Sequence, residues 1–110
     1  MTPASLDPVA FRLTATEWEV LYLLHDALGQ LRKMTMSFSE LRYLAVEHSE
    51  ADIRQAVQAL LDPAGHGKPF ATPLAVAIPN LTNLPIYRIT PLGRDLVKRE
   101  QGFASYSTVK

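Results

Sequence analysis

The first third of the chain carries apolar residues at helical spacing. With residues about 100° apart on a helical wheel, one stripe is formed by Leu21, Leu24, Leu28 and Leu31. Its flanks are widened by Trp18, Val20, Tyr22 and Ala27. Such a broad apolar arc predicts either a central helix of the domain or a helix that also pairs with a second subunit. The motif Thr16-x-x-Glu19 predicts a capping box at its start.

Two further helices are predicted before residue 63. Residues 33–37 alternate and predict one short strand, after which Ser37 or Ser39 caps a helix that reaches Val46. Ser49 caps a third helix, which has an acidic residue three positions on. The apolar positions of the third helix are Ile53, Val57, Leu60 and Leu61. The order helix, short turn, helix follows.

Prolines divide the rest of the chain into pieces suited to strands rather than helices. They are Pro63, Pro69, Pro73, Pro79, Pro85 and Pro91. Residues 74–78 and 86–90 predict two strands, and the turn-rich residues 79–85 between them predict a β-hairpin with a long tip. Thr90 caps a last helix, which we expect to end before Gly102 and a polar tail.

Composition limits the class of protein. The chain has 110 residues, of which 47% are hydrophobic and 20% charged, and it contains no cysteine. These values predict a single folded domain over residues 1–110 without disulfides, with a leader at 1–13, a core at about 14–100 and a tail at 101–110. Neither a signal peptide nor a membrane span is predicted, so we expect a cytoplasmic protein.

The net charge of zero conceals two unlike halves. Residues 1–62 hold five basic and nine acidic side chains, a net charge of −4, whereas residues 63–110 hold six basic and two acidic ones, a net charge of +4. The half that contains the predicted hairpin is therefore the basic half, and any contact with phosphate is expected there.

Two motifs resemble a known family. The stretch Tyr87–Leu96, with Thr90 and Gly93, resembles the end of the wing and the next helix in bacterial MarR and PadR regulators. Residues 38–60 resemble their helix-turn-helix. The resemblance implies an α+β winged helix, with a three-helix helix-turn-helix core, a β-hairpin wing and a short C-terminal helix. Residues 63–73 depart from the family, and we interpret Gly65–Lys68 within them as a flexible connector.

The resemblance also implies a DNA site, with the recognition helix, residues 49–61, in the major groove and the wing on the backbone or minor groove. With the apolar side inward, the helical wheel places Ala51, Gln55, Gln58 and Asp62 outward and Arg54 on the flank, and Ser49 begins the helix. The candidates for contact with DNA on this helix are Ser49, Ala51, Arg54, Gln55 and Gln58. The wing candidates are Lys68, Asn80, Thr82, Asn83 and Arg88. Glu50 and Asp52 oppose strong binding. Arg94, Lys98 and Arg99 fit the solvated face of the last helix better than an extension of this patch.

The sequence shows no recognisable set of catalytic residues. His25, His48 and His66 lack metal-ligand spacing, and Gly65–Lys68 lacks both the glycine spacing and the Ser or Thr of a phosphate-binding loop. We expect no enzyme, catalytic residue, metal or cofactor.

Two functions stay open. The first is a DNA-binding transcriptional regulator that reads double-stranded DNA as a homodimer through helix 1, with Trp18 and Tyr22, and the C-terminal tail around Phe103 and Tyr106. The alternative is a winged-helix protein-protein interaction module without specific DNA binding. Its contact would be the acidic recognition helix or the apolar hairpin tip.

Overall fold

A computed structural model describes residues 11–29, 35–79 and 85–108, with side chains for 11–27, 35–79 and 85–100. These ranges hold four α-helices and a three-stranded antiparallel sheet, so the predicted α+β class is confirmed. Within them, no helix combines the length and apolar character needed to cross a bilayer.

Helix α1 spans Ala15–Gly29 and begins one residue before Thr16, the first residue of the predicted capping box. The Thr14 amide donates to Glu17 Oε1 at 2.9 Å, and the Glu17 amide donates to Thr14 Oγ1 at 3.1 Å. The prediction of a box at Thr16 and Glu19 is therefore wrong. Both pairs have the same spacing, and Thr16 instead places its hydroxyl 3.0 Å from His48 Nδ1.

The predicted short strand and second helix follow. Strand β1 is Met36–Ser37, and helix α2 is Phe38–Leu44. Ser37, and not Ser39, caps α2 through a complete capping box with Glu40. The helix ends before Val46 because Ala45 already leaves the helical conformation, with φ −89° and ψ 62°.

Helix α3 spans Glu50–Leu61, with the predicted cap at Ser49. The Ser49 hydroxyl accepts the Asp52 amide at 3.1 Å, which satisfies one of the free donors of the first turn. The helix ends at Leu61, with Asp62 as its C-cap, as predicted from the sequence.

The predicted hairpin is present as strands β2, Ala75–Ala77, and β3, Ile86–Ile89. They pair antiparallel, with Val76 opposite Arg88, and β1 adds to the other edge of β3. The strand order is thus β1-β3-β2. The amide of Phe38, the first residue of α2, donates to the Pro85 carbonyl at 3.2 Å and ties α2 to the base of the hairpin.

The segment between α3 and β2, which includes the connector Gly65–Lys68, has a defined local conformation. Ala64–His66 form a single 3-10 turn, and Gly67 follows with φ 77°, a left-handed conformation that favours glycine. Phe70 lies against Phe11, with ring centroids 4.7 Å apart. Phe11 is buried, so the core begins before the predicted boundary at residue 14.

Helix α4 spans Pro91–Thr108 and, at 18 residues, is the longest in the described ranges. The predictions of a short last helix and of an end before Gly102 are wrong. Thr90 caps it as predicted, because its hydroxyl accepts the Gly93 amide at 3.1 Å. A glycine inside a helix costs about 1 kcal/mol relative to alanine, which weakens a helix without ending it.

One core joins α1, α3, the sheet and α4. The apolar stripe predicted for α3 faces it, since Ile53 and Val57 are buried, and so does the described part of the stripe predicted for α1, Leu21 and Leu24. The side chains of Leu28 and Leu31, the rest of that stripe, lie outside those described. Other large side chains with less than 2% exposure include Met36, Leu41, Leu60, Leu74 and Leu96. All four helices and the sheet therefore contribute to this core.

The backbone of Leu74 links three elements within this core. Its amide donates to the Leu60 carbonyl near the end of α3, and its carbonyl accepts the Thr90 amide before α4, both at 3.0 Å. A Cβ built on Gly93 would collide with the Leu74 carbonyl oxygen and lie 2.8 Å from Ile89 Cγ1. The close approach of α4 to β2 therefore requires glycine at position 93.

Gly93→Ala tests this close approach. Helix propensity alone favours alanine by about 1 kcal/mol, yet the collision with backbone predicts a net loss of about 2 kcal/mol in the free energy of unfolding. Urea unfolding followed by circular dichroism measures it. Asp95→Ala, at an exposed position of the same helix, serves as the control and should change stability by less than about 0.5 kcal/mol. An alanine variant as stable as the wild type would contradict the packing described.

Candidate nucleic-acid interface

Helix α3 separates its residues cleanly between core and solvent. Its inward side is buried and consists of Ile53, Ala56, Val57, Ala59 and Leu60. The predicted outward residues are exposed, namely Ala51, Gln55, Gln58 and Asp62, and Arg54 is exposed beside them. The sequence thus predicted the exposed face of α3 correctly.

Arg54 lies over an aromatic ring and beside a carboxylate. Its guanidinium carbon is 4.8 Å from the centroid of the Phe38 ring, a cation–π geometry. Its Nη2 donates to Glu50 Oε2 at 2.5 Å. Arg42 on α2 donates to the other oxygen of the same carboxylate at 2.9 Å, so Glu50 lies between two arginines.

A groove of about 390 Å³ opens beside Arg54 and Phe38, between the start of α2, the middle of α3 and the base of the hairpin. It is lined by Ser37, Phe38, Ser39, Arg54, Val57, Gln58, Pro85 and Tyr87. Burial raises the pKa of the Tyr87 phenol, and the positive charge of Arg54 offsets part of that rise. The phenol is therefore a neutral hydrogen-bonding group at neutral pH.

Arg88 is an exposed cation on β3. Within the described residues no carboxylate forms an ion pair with it. The other predicted residues of the hairpin tip, Asn80, Thr82 and Asn83, lie outside the described residues, as do Leu81 and Leu84.

Lys68 is not available to phosphate, contrary to the prediction from sequence. Its ammonium lies 2.5 Å from Glu17 Oε1 and donates to the Arg12 carbonyl at 2.8 Å. Both charged side chains are only 9% exposed. Arg12 has a φ of 55°, uncommon for a non-glycine residue, and its carbonyl is held by this lysine. We therefore interpret Lys68 as a structural residue.

The remaining residues considered from the sequence are Ser49 and three cations of α4. The Ser49 hydroxyl is occupied by its capping bond to Asp52. Arg94, Lys98 and Arg99 are exposed on α4, where the sequence suggested an ordinary solvated face.

Two of the histidines form hydrogen bonds: His48 Nδ1 lies 3.0 Å from the Thr16 hydroxyl, and His66 Nδ1 lies 3.0 Å from the Asp62 carbonyl. His25 Nδ1 lies 3.5 Å from Asp26 Oδ1 and is buried without a hydrogen-bond partner among the described residues. Among the residues that the structure describes, no group of three or more His, Cys, Asp or Glu side chains could hold a metal ion.

The contacts that join Glu50 to Arg42 and Arg54, and Arg54 to Phe38, were not predicted from the sequence. The Glu50–Arg54 pair has the i, i+4 spacing of a helical ion pair, which is a readable signal. The contacts of Arg42 with Glu50 and of Phe38 with Arg54 have no such signal, because they cross the turn between two helices.

The order of elements, the exposed face of α3 and the hairpin together define a winged helix. Its fold is similar to that of BpsR from Bordetella bronchiseptica, whose DNA binding is regulated by 6-hydroxynicotinic acid, with a TM-score of 0.61 and 23% sequence identity. The likeness covers 86% of this chain and 61% of BpsR, so the chain spans about three fifths of that protein. No family model and no curated protein sequence matches the chain.

The structural role of Lys68 can be tested by substitution. Lys68→Met leaves the buried Glu17 carboxylate without its cation and should lower the free energy of unfolding by about 3 kcal/mol. The double variant Lys68→Met/Glu17→Gln removes the unpaired charge and keeps a residue able to complete the cap, so it should lose less. Urea unfolding compares them. A double variant less stable than Lys68→Met would contradict this interpretation.

Proposed function

We propose that the protein is a DNA-binding transcriptional regulator of the winged-helix type, acting in the cytoplasm. The observation that carries the proposal is the exposed face of α3, which presents Gln55 and Gln58 beside Arg54 and is backed by a fully buried apolar side. A helix built in this way has the shape and the donors to enter the major groove. The fold shared with BpsR supports the same conclusion.

The side chains of this face match base edges. A glutamine amide can bond adenine at N6 and N7 together, and a guanidinium can bond guanine at O6 and N7. Ala51 adds no bulk near the start of the helix and allows close approach. We infer that Gln55, Gln58 and Arg54 supply sequence selectivity, with Ser49 at the entry to the groove.

We propose that the hairpin, the wing of this fold, supplies most of the affinity for DNA. Arg88 is exposed on β3, in the half of the chain that carries a net charge of +4. Phosphate contacts of this kind release counterions and make binding strongly dependent on salt. We propose that Arg88 grips the backbone or minor groove, together with Asn80, Thr82 and Asn83 at the hairpin tip.

A DNA titration with matched variants tests these assignments. Duplexes selected from a random pool by the wild type are titrated at low and moderate salt. Gln55→Ala should weaken the selected duplex by about 5- to 150-fold and leave the salt dependence unchanged. Arg88→Ala should weaken all duplexes alike and reduce the slope of log K against log salt by about 0.9.

Arg99→Ala is the matched control for Arg88, since it removes one exposed cation from α4. It should bind DNA as the wild type does. A wild type that shifts no duplex at either salt concentration would refute the proposed function, and an unchanged Gln55→Ala variant would refute the assignment of α3.

We also propose a homodimer that reads a pseudo-palindromic site. Trp18 and Tyr22, 5.9 Å apart between ring centroids, are only half-buried on α1 and leave part of their apolar surface for a second subunit. The predicted tail contacts at Phe103 and Tyr106 involve side chains outside those described.

Sedimentation equilibrium tests the dimer. The wild type should be dimeric at micromolar concentration, and Tyr22→Ser should shift the equilibrium toward monomer because the contact loses apolar area. Asp95→Ala serves as a control on α4, and circular dichroism verifies that Tyr22→Ser remains folded. A monomeric wild type, or a folded Tyr22→Ser variant that is fully dimeric, would contradict the proposed contact.

One observation favours the alternative, a module that binds another protein. Tyr43, in the last turn of α2, and Val46, just after the helix, are each 80% exposed, and Leu44 between them is 41% exposed. Apolar side chains clustered on a surface are typical of protein contacts. The alternative predicts that the wild type binds a selected duplex no more tightly than random DNA.

A further inference from the structure

We propose that Glu50 limits the affinity of this protein for DNA by competing with phosphate for Arg42 and Arg54. The inference rests on the proposed function, since it assigns a role within the same interface. It concerns how tightly the protein binds DNA of any sequence and how strongly that binding depends on salt.

The geometry shows one carboxylate shared by two cations. Glu50 Oε1 accepts from Arg42 at 2.9 Å and Oε2 accepts from Arg54 at 2.5 Å, so each oxygen has its own arginine. The side chains of Glu50, Arg42 and Arg54 are 47%, 59% and 60% exposed. All three therefore meet solvent, and a ligand can reach them.

Carboxylate and phosphate are alternative acceptors for a guanidinium. Arg42 lies on the first helix of the helix-turn-helix, the helix that crosses the DNA backbone, and Arg54 lies on the second. While both are neutralised by Glu50, neither contributes its full charge to the attraction of phosphate. An exposed pair is worth about a two- to fivefold factor in an equilibrium constant, so DNA can break it.

Arg54 is positioned independently of Glu50. The Phe38 ring lies beneath its guanidinium at 4.8 Å and forms one wall of the groove between α2, α3 and the hairpin. Loss of the carboxylate therefore changes the charge of this surface more than the position of Arg54.

This arrangement lowers the affinity for DNA of every sequence. A phosphate that binds Arg42 or Arg54 must first replace the Glu50 carboxylate, for random DNA and for a preferred site alike. The cost of separating the ion pairs is therefore the same in both cases. Selectivity between them comes from the base edges that Arg54 and the glutamines contact in a preferred site.

The experiment compares Glu50→Gln with Asp52→Asn. Both variants remove one negative charge from the first turn of α3, and Asp52 is also exposed. No described cation forms an ion pair with Asp52, so its replacement changes net charge without releasing an arginine. Binding to a selected duplex and to a random duplex is measured over a range of salt.

Glu50→Gln should bind random DNA about three- to fivefold more tightly than Asp52→Asn does, with a slope of log K against log salt steeper by about 0.9 for each arginine released. Its ratio of selected to random binding should stay close to that of the wild type, because the cost of separating the ion pairs is removed from both complexes. Adding Arg42→Gln or Arg54→Gln to Glu50→Gln should each remove part of the extra slope.

The outcomes separate the inference from the function beneath it. Equal effects of Glu50→Gln and Asp52→Asn would refute the role of Glu50 while leaving DNA binding intact. An affinity for random DNA that rises in Glu50→Gln without a steeper dependence on salt would also refute it. Failure of the wild type and every variant to bind any duplex at low salt would refute the proposed function itself.

Discussion

The position of the hairpin relative to α3 depends on the backbone of Leu74. Its amide bonds to the end of α3 and its carbonyl to the residue that caps α4. The Thr90 hydroxyl adds a bond to the Pro73 carbonyl at 3.0 Å, and Gly93 lets the first turn of α4 approach. Because the two bonds of Leu74 join backbone groups at a fully buried residue, they fix where β2 leaves the core and hence where the hairpin begins. Both halves of the proposed DNA face are positioned from this point.

Much of the fold was predictable because its signals are local. Capping at Ser37, Ser49 and Thr90 and the apolar spacing of α3 all concern residues within four positions of one another, and each was confirmed. The start of α1 was not, since two Thr-x-x-Glu motifs overlap and a tertiary contact distinguishes them: Glu17, in the correct one, also bonds Lys68. The end of α4 was not predictable from Gly102, because a glycine inside a helix weakens the helix without ending it.

The site was predictable only in part, for a related reason. A helical wheel identifies which residues of α3 face outward, and it did so correctly. It does not identify contacts between distant segments. Lys68 and Glu17 are 51 positions apart, so a lysine that belonged to the basic half by charge proved to be a buried structural residue. The sharing of Glu50 by Arg42 and Arg54 depends likewise on how α2 and α3 pack.

The central claim is that α3 and the hairpin together form a face that binds DNA. It is tested most directly by following backbone amide chemical shifts in a nuclear magnetic resonance titration with a selected duplex. The account predicts that the largest changes occur at residues 49–58 and at Arg88, with little change at Lys68. Changes centred on Tyr43 and Val46 instead, or no change at any amide, would contradict it.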